Sequence, residues 1–182
     1  MITGGDEIYR TQRCNNNTYN LDSTGNWIDW SGLAANQPFY AFARRLIRFR
    51  NAHPALRRLD FFRGADGNGD GVKDITWYRA DGAEANAAYF ESDSGRFLAY
   101  RIDGTEAAGD PADGLLVAYN LNNAAVTVTL PSPRPGRRWH RVADTAAWLE
   151  PEGNAHEAGS EPALTGPSYG MHGRSLLLLI EK

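Results

Sequence analysis

Apolar residues recur at three- and four-residue spacings over one stretch in the first third of the chain. The apolar positions of this stretch are Phe39, Phe42, Ala43, Leu46, Ile47 and Phe49. Their spacing predicts an amphipathic helix over residues 37–52, with Asn36 as the N-cap and Pro38 in the first turn. His53-Pro54 should end the helix, because the residue before a proline avoids the helical region. The apolar face is expected to face a core, and the arginines of the opposite face to be solvated.

From about residue 60 onward, short runs of β-branched and aromatic residues alternate with clusters of turn-forming residues. The runs are Asp74–Arg79, Phe97–Ile102, Leu115–Leu121, Val126–Leu130, Arg138–Val142 and Ser175–Glu181. They predict about six to eight antiparallel strands and hence a β-sandwich. The proline-rich stretch 131–136 should break the sheet, and Trp139 and Trp148 are expected in the sandwich core rather than as sugar platforms. The predicted fold is mainly β: a C-terminal antiparallel β-sandwich preceded by a long loop and one α-helix.

The first 35 residues show almost no periodicity and are rich in Asn, Gly, Asp and aromatic residues. Loops longer than about 12 to 15 residues are uncommon unless they are functional. The aromatic rings of this loop lie among side chains that can donate and accept hydrogen bonds, a combination that suits a sugar. The composition fits a polysaccharide cleft. It equally fits a structural loop whose Asn side chains satisfy its own backbone.

Asp6 and Glu7 are adjacent carboxylates in this loop. Glycoside hydrolysis uses two carboxyl groups roughly 5 to 10 Å apart across the scissile bond. If Asp6 and Glu7 end a strand, their side chains point to opposite faces and form a poor catalytic pair. Asp22 and Asp29 could join them. The alternative is that these carboxylates cap helices and bind arginines within the loop.

Composition narrows the possible functions. The chain has 182 residues, of which 42% are hydrophobic and 23% charged, and its formal net charge is -3. This length is too short for a complete eight-fold β/α barrel, which needs roughly 250 residues. The mild negative charge gives no electrostatic reason to bind nucleic acid or an acidic membrane. Cys14 is the single cysteine, so neither an intrachain disulfide nor a cysteine metal cluster is possible.

The segment from Asp66 to Asp74 matches the first half of a calcium-binding loop, D-x-N-x-D-G-x-x-D. Oxygen donors at alternate positions, with glycine at the sixth, let a chain wrap around a hard cation. The candidate calcium ligands are Asp66, Asn68, Asp70 and Asp74. The glutamate that EF-hands carry at the twelfth position is replaced by Trp77, and no helix is predicted on either side. The alternative is a tight Asp-Gly turn that leads into the strand at Asp74.

Three motifs in the N-terminal loop are long and specific. They are G-D-E-x-x-R-T-Q at residues 5–12, N-N-N-x-Y at residues 15–19 and W-x-x-W at residues 27–30. With them the chain resembles bacterial isoamylases, the glycogen and starch debranching enzymes of the α-amylase superfamily (glycoside hydrolase family 13). The resemblance resumes in later segments, the last at residues 173–180, and covers nearly the whole chain.

The resemblance implies that the chain is the C-terminal part of a longer enzyme. Residues 1–58 would be the end of the eighth strand of a TIM barrel, the following loop and the final helix, and residues 59–182 the C-terminal β-sandwich. The family's nucleophilic Asp, acid Glu and transition-state Asp have no counterpart here, so no catalytic residue is expected and the chain alone should be inactive. Loops after barrel strands line the active site. The implied substrate-lining residues are Asp6, Glu7, Arg10, Asn16, Asn17, Tyr19, Asp22 and Trp27.

Two functions therefore remain open. The chain is either the C-terminal part of a debranching glycoside hydrolase that acts on α-1,6 branch points, with a structural or glycan-contacting role, or a stand-alone, non-catalytic α-glucan-binding β-sandwich module. The expected partners are glycogen or amylopectin, the missing barrel in the same or another chain, and a second copy bound through the exposed helix face. The expected location is either the bacterial cytoplasm or, if the parent enzyme is secreted, outside the cell.

Overall fold

The computed structural model describes residues 2–147 and 154–182. The chain divides into two compact units, Met1–Arg48 and Phe49–Lys182. Trp148, which the sequence places in the sandwich core, lies outside the described residues. No helix in the described part of the chain combines the length and the apolar character needed to cross a membrane.

The described residues of the second unit form seven strands in two antiparallel sheets. They are β1 (Ile75–Tyr78), β2 (Phe97–Asp103), β3 (Gly114–Asn120), β4 (Val126–Thr129), β5 (Trp139–Asp144), β6 (Ser168–Met171) and β7 (Ser175–Glu181). One sheet has the order β1-β2-β3-β7-β5, and β4 pairs with β6 in the other. All strand pairs are antiparallel, which confirms the mainly β prediction.

The core of this unit combines side chains from both sheets. Its buried members are Phe97, Ala99, Leu116, Ala118, Val128, Leu130, Trp139, Met171, Leu177 and Leu179. Members on one strand lie two residues apart because successive side chains of a strand point to opposite faces. Trp139 is buried, as predicted, and its indole Nε1–H donates a hydrogen bond to the carbonyl of Pro131 at 2.7 Å.

Two strands of the larger sheet are buried along most of their length. In β3 and β7 only Tyr119 and Leu176 are more than marginally exposed. A strand covered on both faces reads as a continuous apolar run rather than as an alternation. The runs around Leu115–Ala118 and Leu177–Ile180 are therefore the sequence signature of two adjacent interior strands of the sheet.

The helices include the predicted amphipathic one. The short α1 spans Gly32–Ala35, α2 spans Gln37–Ala52 and α3 spans Ala87–Phe90. The bounds of α2 confirm that His53-Pro54 ends this helix. Asn36 occupies the N-cap position, since its carbonyl accepts the N–H of Tyr40 at 3.0 Å, and its side-chain amide donates to the carbonyl of Ile8 at 3.0 Å.

The apolar face of α2 is only partly buried by the described residues. The helix has no buried residue, and Ile47 is 43% exposed. The expectation of a core-facing surface is therefore not met by the described residues. Self-association through the face formed by Phe39, Phe42, Leu46 and Phe49 stays a prediction.

The segment after α2 is fixed within the second unit by a buried pair. The His53 Nδ1 atom lies 2.7 Å from Asp110 Oδ1, and both side chains are almost completely buried. The second carboxylate oxygen of Asp110 accepts the backbone N–H of Ala55 at 3.0 Å. The short 3-10 turn Pro54–Arg57 therefore starts from a fixed position.

Candidate functional site

The N-terminal carboxylates lie in a turn rather than at the end of a strand. Asp6–Ile8 forms one turn of 3-10 helix. Asp6 Oδ2 accepts the backbone N–H of Thr3 at 2.7 Å, and Glu7 Oε2 accepts that of Gly5 at 3.0 Å. Among the described residues of the first unit, Asp6 and Glu7 lie outside the named strands, and the barrel strand implied by the resemblance stays a prediction. Each carboxylate instead satisfies the local backbone.

Arg10 ties this turn to a later part of the loop. Its Nη2 donates to both the carbonyl oxygen and the side-chain oxygen of Asn26, each at 3.1 Å. The aliphatic stem of Arg10 crosses Gly5, where a Cβ atom would lie only 3.0 Å from the stem and where φ is +95°. Glycine is therefore required at this position for two reasons, the close contact and the left-handed backbone. The Nε–H of Arg10 is buried and has no hydrogen-bond partner in the described part of the chain.

The run of asparagines forms local turns. Asn15 Oδ1 accepts the backbone N–H of Asn17 at 3.0 Å, and Asn17 Oδ1 accepts that of Tyr19 at 3.2 Å. Side chains that accept from the backbone two residues later are typical of Asx turns. Asn15 and Asn17 therefore have the structural role that the composition left open, while the side chain of Asn16 is exposed.

Large aromatic side chains are exposed on this loop. Tyr19 is 82% exposed, Trp27 57% and Trp30 66%. Asp22 Oδ1 accepts the indole Nε1–H of Trp27 at 2.7 Å, so one predicted lining residue orients another. The ring of Tyr9 instead stacks on Phe39 with the ring centroids 4.2 Å apart.

A cavity of about 330 Å³ brings part of the predicted set together. Its lining includes Arg10 and Trp27, together with Tyr9, Asp29 and Asn36. Hydrogen bonds from the hydroxyl and backbone N–H of Ser31 hold the pKa of Asp29 below its usual value. The cavity thus presents two aromatic rings beside a guanidinium, a carboxylate and an amide, a mixture suited to a polyhydroxylated ligand.

The rest of the predicted set is distributed elsewhere. Asp6 and Arg10 line a smaller cavity of about 140 Å³ with Thr3 and Gln12. Asn16, Asn17, Tyr19 and Asp22 do not line the larger cavity. Tyr9, Asp29 and Asn36 were not among the predicted lining residues. The sequence contains one indication that Tyr9 and Asp29 line the cavity: they lie in the same motifs as Arg10 and Trp27.

The segment from Asp66 to Asp74 forms a glycine-rich turn whose polar side chains are used by the protein. Asp66 accepts the N–H groups of Gly69 and Gly71 at 2.7 and 2.9 Å, and both glycines have positive φ. Asn68 donates its amide to Thr105 Oγ1 at 2.8 Å. These contacts support the turn interpretation of the motif.

The two remaining candidate calcium ligands are also engaged. Asp74 is completely buried, and its oxygens accept four backbone N–H groups, those of Arg63, Gly64, Ala65 and Ile75. Asp70 Oδ2 accepts from Arg134 Nη2 at 2.6 Å. Among the described residues, no three His, Cys, Asp or Glu side chains are grouped to hold a metal ion. Calcium binding stays a prediction, one that these hydrogen bonds do not support.

Comparison with known proteins gives a consistent family. The family described as "Isoamylase, C-terminal" matches residues 74–180. The chain is 49% identical to an isoamylase from a Flavobacterium species and 43% identical to that of Pseudomonas amyloderamosa. Both alignments cover all of this chain but only 24% and 22% of the relatives, so the chain spans less than a quarter of their length.

A solved structure shows the same fold. The pullulanase from Bacillus acidopullulyticus superposes with a TM-score of 0.63 over 98% of this chain and 18% of its own, at 20% sequence identity. At this identity the likeness concerns the fold alone. The family match, however, spans more than half of the sequence. The chain therefore belongs to the isoamylase C-terminal domain family.

Proposed function

We propose that the chain acts as the C-terminal part of a debranching glycoside hydrolase whose substrates are the α-1,6 branch points of glycogen or amylopectin. The observation that carries this proposal is the family match over residues 74–180. The isoamylases of Flavobacterium and Pseudomonas, aligned over the whole chain, support the same assignment. In this proposal the longer protein carries out the hydrolysis.

The proposed contribution of the first unit is to line the glycan cleft. The exposed rings of Tyr19 and Trp27 offer apolar faces on which a sugar ring can stack. Arg10, Asp29 and Asn36 supply hydrogen-bonding groups beside one of these rings. The β-sandwich of the second unit serves as the structural support.

General-acid catalysis needs a carboxyl group whose pKa is raised. Asp74, Asp110 and Glu161 show the opposite shift. Burial acts to raise the pKa of each, but the hydrogen bonds that each accepts outweigh burial and bring the pKa below its usual value. These carboxylates therefore stay ionised at neutral pH and serve as hydrogen-bond acceptors rather than proton donors.

The proposal predicts that the 182-residue chain releases no reducing ends from glycogen. The physical reason is that the acid and the nucleophile of glycoside hydrolysis both have to flank the scissile bond, and the catalytic carboxylates of the resembled family have no counterpart in this chain. A reducing-sugar assay, with a complete bacterial isoamylase as the positive control, measures this. Release of reducing ends at an enzyme-like rate would show that the chain contains its own catalytic pair.

The cleft-lining role predicts weak binding of glycogen that depends on Trp27. Affinity electrophoresis through a glycogen-containing gel should retard the wild-type chain. Trp27→Ala should raise the Kd about five- to tenfold, since a stacked aromatic contact contributes about 1 kcal/mol. Phe90→Ala is the matched control, because Phe90 is 53% exposed and lies in the sandwich unit.

The same gel separates the two functions that the sequence left open. Loss of retardation in Phe90→Ala with wild-type retardation in Trp27→Ala would favour a glucan-binding sandwich module. A wild-type chain that migrates equally with and without glycogen would contradict the cleft-lining role.

A further inference from the structure

One arginine joins three distant segments at one end of the β-sandwich. Arg134 Nη2 donates to Asp70 Oδ2 and to Asp103 Oδ1, both at 2.6 Å. Its Nη1 donates to Glu181 Oε2 at 3.0 Å and to the carbonyl of Asp113 at 2.8 Å. The guanidinium therefore contacts the turn from Asp66 to Asp74, the end of β2 and the end of β7 at the same time.

Burial makes these contacts strong. The side chains of Asp103 and Glu181 are fully buried, and that of Arg134 is 15% exposed. Arg101 is the second cation here, with its Nη2 at 2.5 Å from Glu181 Oε2. Two guanidinium groups thus face three carboxylates. Removing Arg134 would leave the buried carboxylate of Asp103 without its cation, while Glu181 would keep Arg101.

The turn from Asp66 to Asp74 is arranged around this guanidinium. Asp70 contacts Arg134 directly through Oδ2, while its Oδ1 accepts the N–H of Val72 at 2.9 Å. Asn68 reaches the same place indirectly, because its amide donates to Thr105 Oγ1, which lies 3.4 Å from Arg134 Nη2. In a calcium loop, the residues at these two positions would contact the ion.

The backbone around Arg134 is restricted in advance. Pro133 and Pro135 flank the arginine, and proline fixes its own φ and restricts the residue before it. The chain therefore loses less conformational entropy when the arginine is placed. The pKa of Asp70 is consistent with a bound cation: partial burial acts to raise it, but the Arg134 hydrogen bond, the Val72 N–H and the Arg134 charge lower it overall.

We infer that Arg134 is the cation of the Asp66–Asp74 turn: its guanidinium takes the place that a metal ion holds in a calcium loop and latches this turn onto the end of the sandwich. Groups from each neighbouring segment participate. Asp70 comes from the turn, Asp103 from β2 and Glu181 from β7, while Arg101 shares Glu181. The latch explains why a calcium-like motif is present without a grouping of carboxylates that could hold a metal.

Hydrogen exchange of the wild-type chain and of Arg134→Met at pH 7, followed by mass spectrometry, tests the latch. The methionine keeps most of the apolar stem and removes the cation. Amides of residues 64–74 should exchange about tenfold faster or more, the ratio expected for loss of one charge-assisted hydrogen bond. Peptides from β3 should show a smaller increase in exchange rate than the turn, because loss of the latch acts first on the turn. Arg137→Met is the matched control, because Arg137 is 48% exposed and pairs with the Asp113 carboxylate, whereas Arg134 uses only the backbone carbonyl of that residue.

A second variant, together with a measurement of the wild-type chain in calcium, tests the inference if Arg134→Met does not fold. Asp70→Asn removes only the turn's own carboxylate, which is 29% exposed, so the fold should persist while residues 64–74 exchange faster. Calcium chloride at about 5 mM, above the ~1 mM Kd of weak calcium modules, should leave wild-type exchange unchanged. Wild-type protection of the turn in Asp70→Asn would overturn the inference. Slower exchange of the wild-type turn in calcium would overturn it as well, because the turn would then hold a metal.

Discussion

Replacing Glu181 with alanine should lower the free energy of unfolding by about 3–5 kcal/mol, the cost of leaving a buried charge without its partner. Glu181 is completely buried, and its Oε2 accepts from Arg101 at 2.5 Å and from Arg134 at 3.0 Å. Arg101 is only 5% exposed, and its guanidinium carbon lies 5.5 Å from the centroid of the buried Trp139 ring. Urea denaturation followed by circular dichroism measures the loss.

Glu84→Ala is the control for this variant. Glu84 pairs with Lys73 at 2.6 Å, a distance similar to that of the Glu181 pair, but both side chains are about half exposed. Exposed pairs contribute between roughly 0 and 1 kcal/mol, so the change should be small. Equal losses in the two variants would mean that burial does not determine the importance of Glu181.

Asp74→Asn should lower the free energy of unfolding by about 2–4 kcal/mol, because a charged acceptor of several hydrogen bonds is lost. Asp74 is fully buried and accepts from Arg63, Gly64 and Ile75 at 2.8 Å each. Asparagine keeps the shape but offers one acceptor oxygen, and its amide donors would face N–H groups that are themselves donors. Chemical denaturation at pH 7 measures the difference.

The same variant has a pH signature. Burial acts to raise the pKa of Asp74, but the backbone N–H groups of Arg63, Ile75, Gly64 and Ala65 lower it overall. A carboxylate whose pKa is lowered in the folded state stabilises the fold at pH values above its unfolded-state pKa of about 3.9. It loses this effect as the pH falls through its folded-state pKa. The wild-type advantage over Asp74→Asn should therefore be constant near neutrality and shrink below about pH 4.

Asp66→Asn is the matched control for Asp74→Asn. Asp66 lies at the start of the same turn and also accepts backbone N–H groups, from Gly69 and Gly71, but it is exposed. Its replacement should cost about 1 kcal/mol or less, since water can replace the lost bonds. A larger loss from Asp66→Asn than from Asp74→Asn would contradict the anchoring role of Asp74.

The elements that the sequence predicts well are those with a local signal. The stripe of α2 is set by residues three and four positions apart, and His53-Pro54 ends the helix at Ala52. Strand β6, Ser168–Met171, was not predicted. It is four residues long and contains Gly170. Exposed Ser168 and Gly170 alternate with Tyr169 and Met171, which pack into the core, but so short an alternation does not distinguish a strand from a loop in the sequence. Its strand conformation depends on pairing with β4, about forty residues earlier in the chain.

In the candidate site as well, contacts between residues close in the sequence can be predicted and contacts between distant residues cannot. The motifs indicate that Arg10 and Trp27 belong to one polar, aromatic loop, and both line the larger cavity. The motif around Asp70 indicates a cation equally clearly, but the cation supplied by the fold is an arginine 64 positions further along the chain. A spacing rule within nine residues contains no information about such a partner. Only the pairing of strands brings Arg134, Asp103 and Glu181 to the same end of the sandwich.

Strand β7 lies between β3 and β5 in the larger sheet, although it is the last strand in chain order. A ribosome makes β3 first, and β3 cannot acquire its second neighbour until Glu181 has left the exit tunnel. Until then the nascent polypeptide exposes the apolar, unpaired side of β3, which is the kind of surface that associates with other unfinished chains. The domain is therefore most prone to aggregation while β7 is still being synthesised. A chaperone, or the preceding part of a longer polypeptide, would protect it most during this interval.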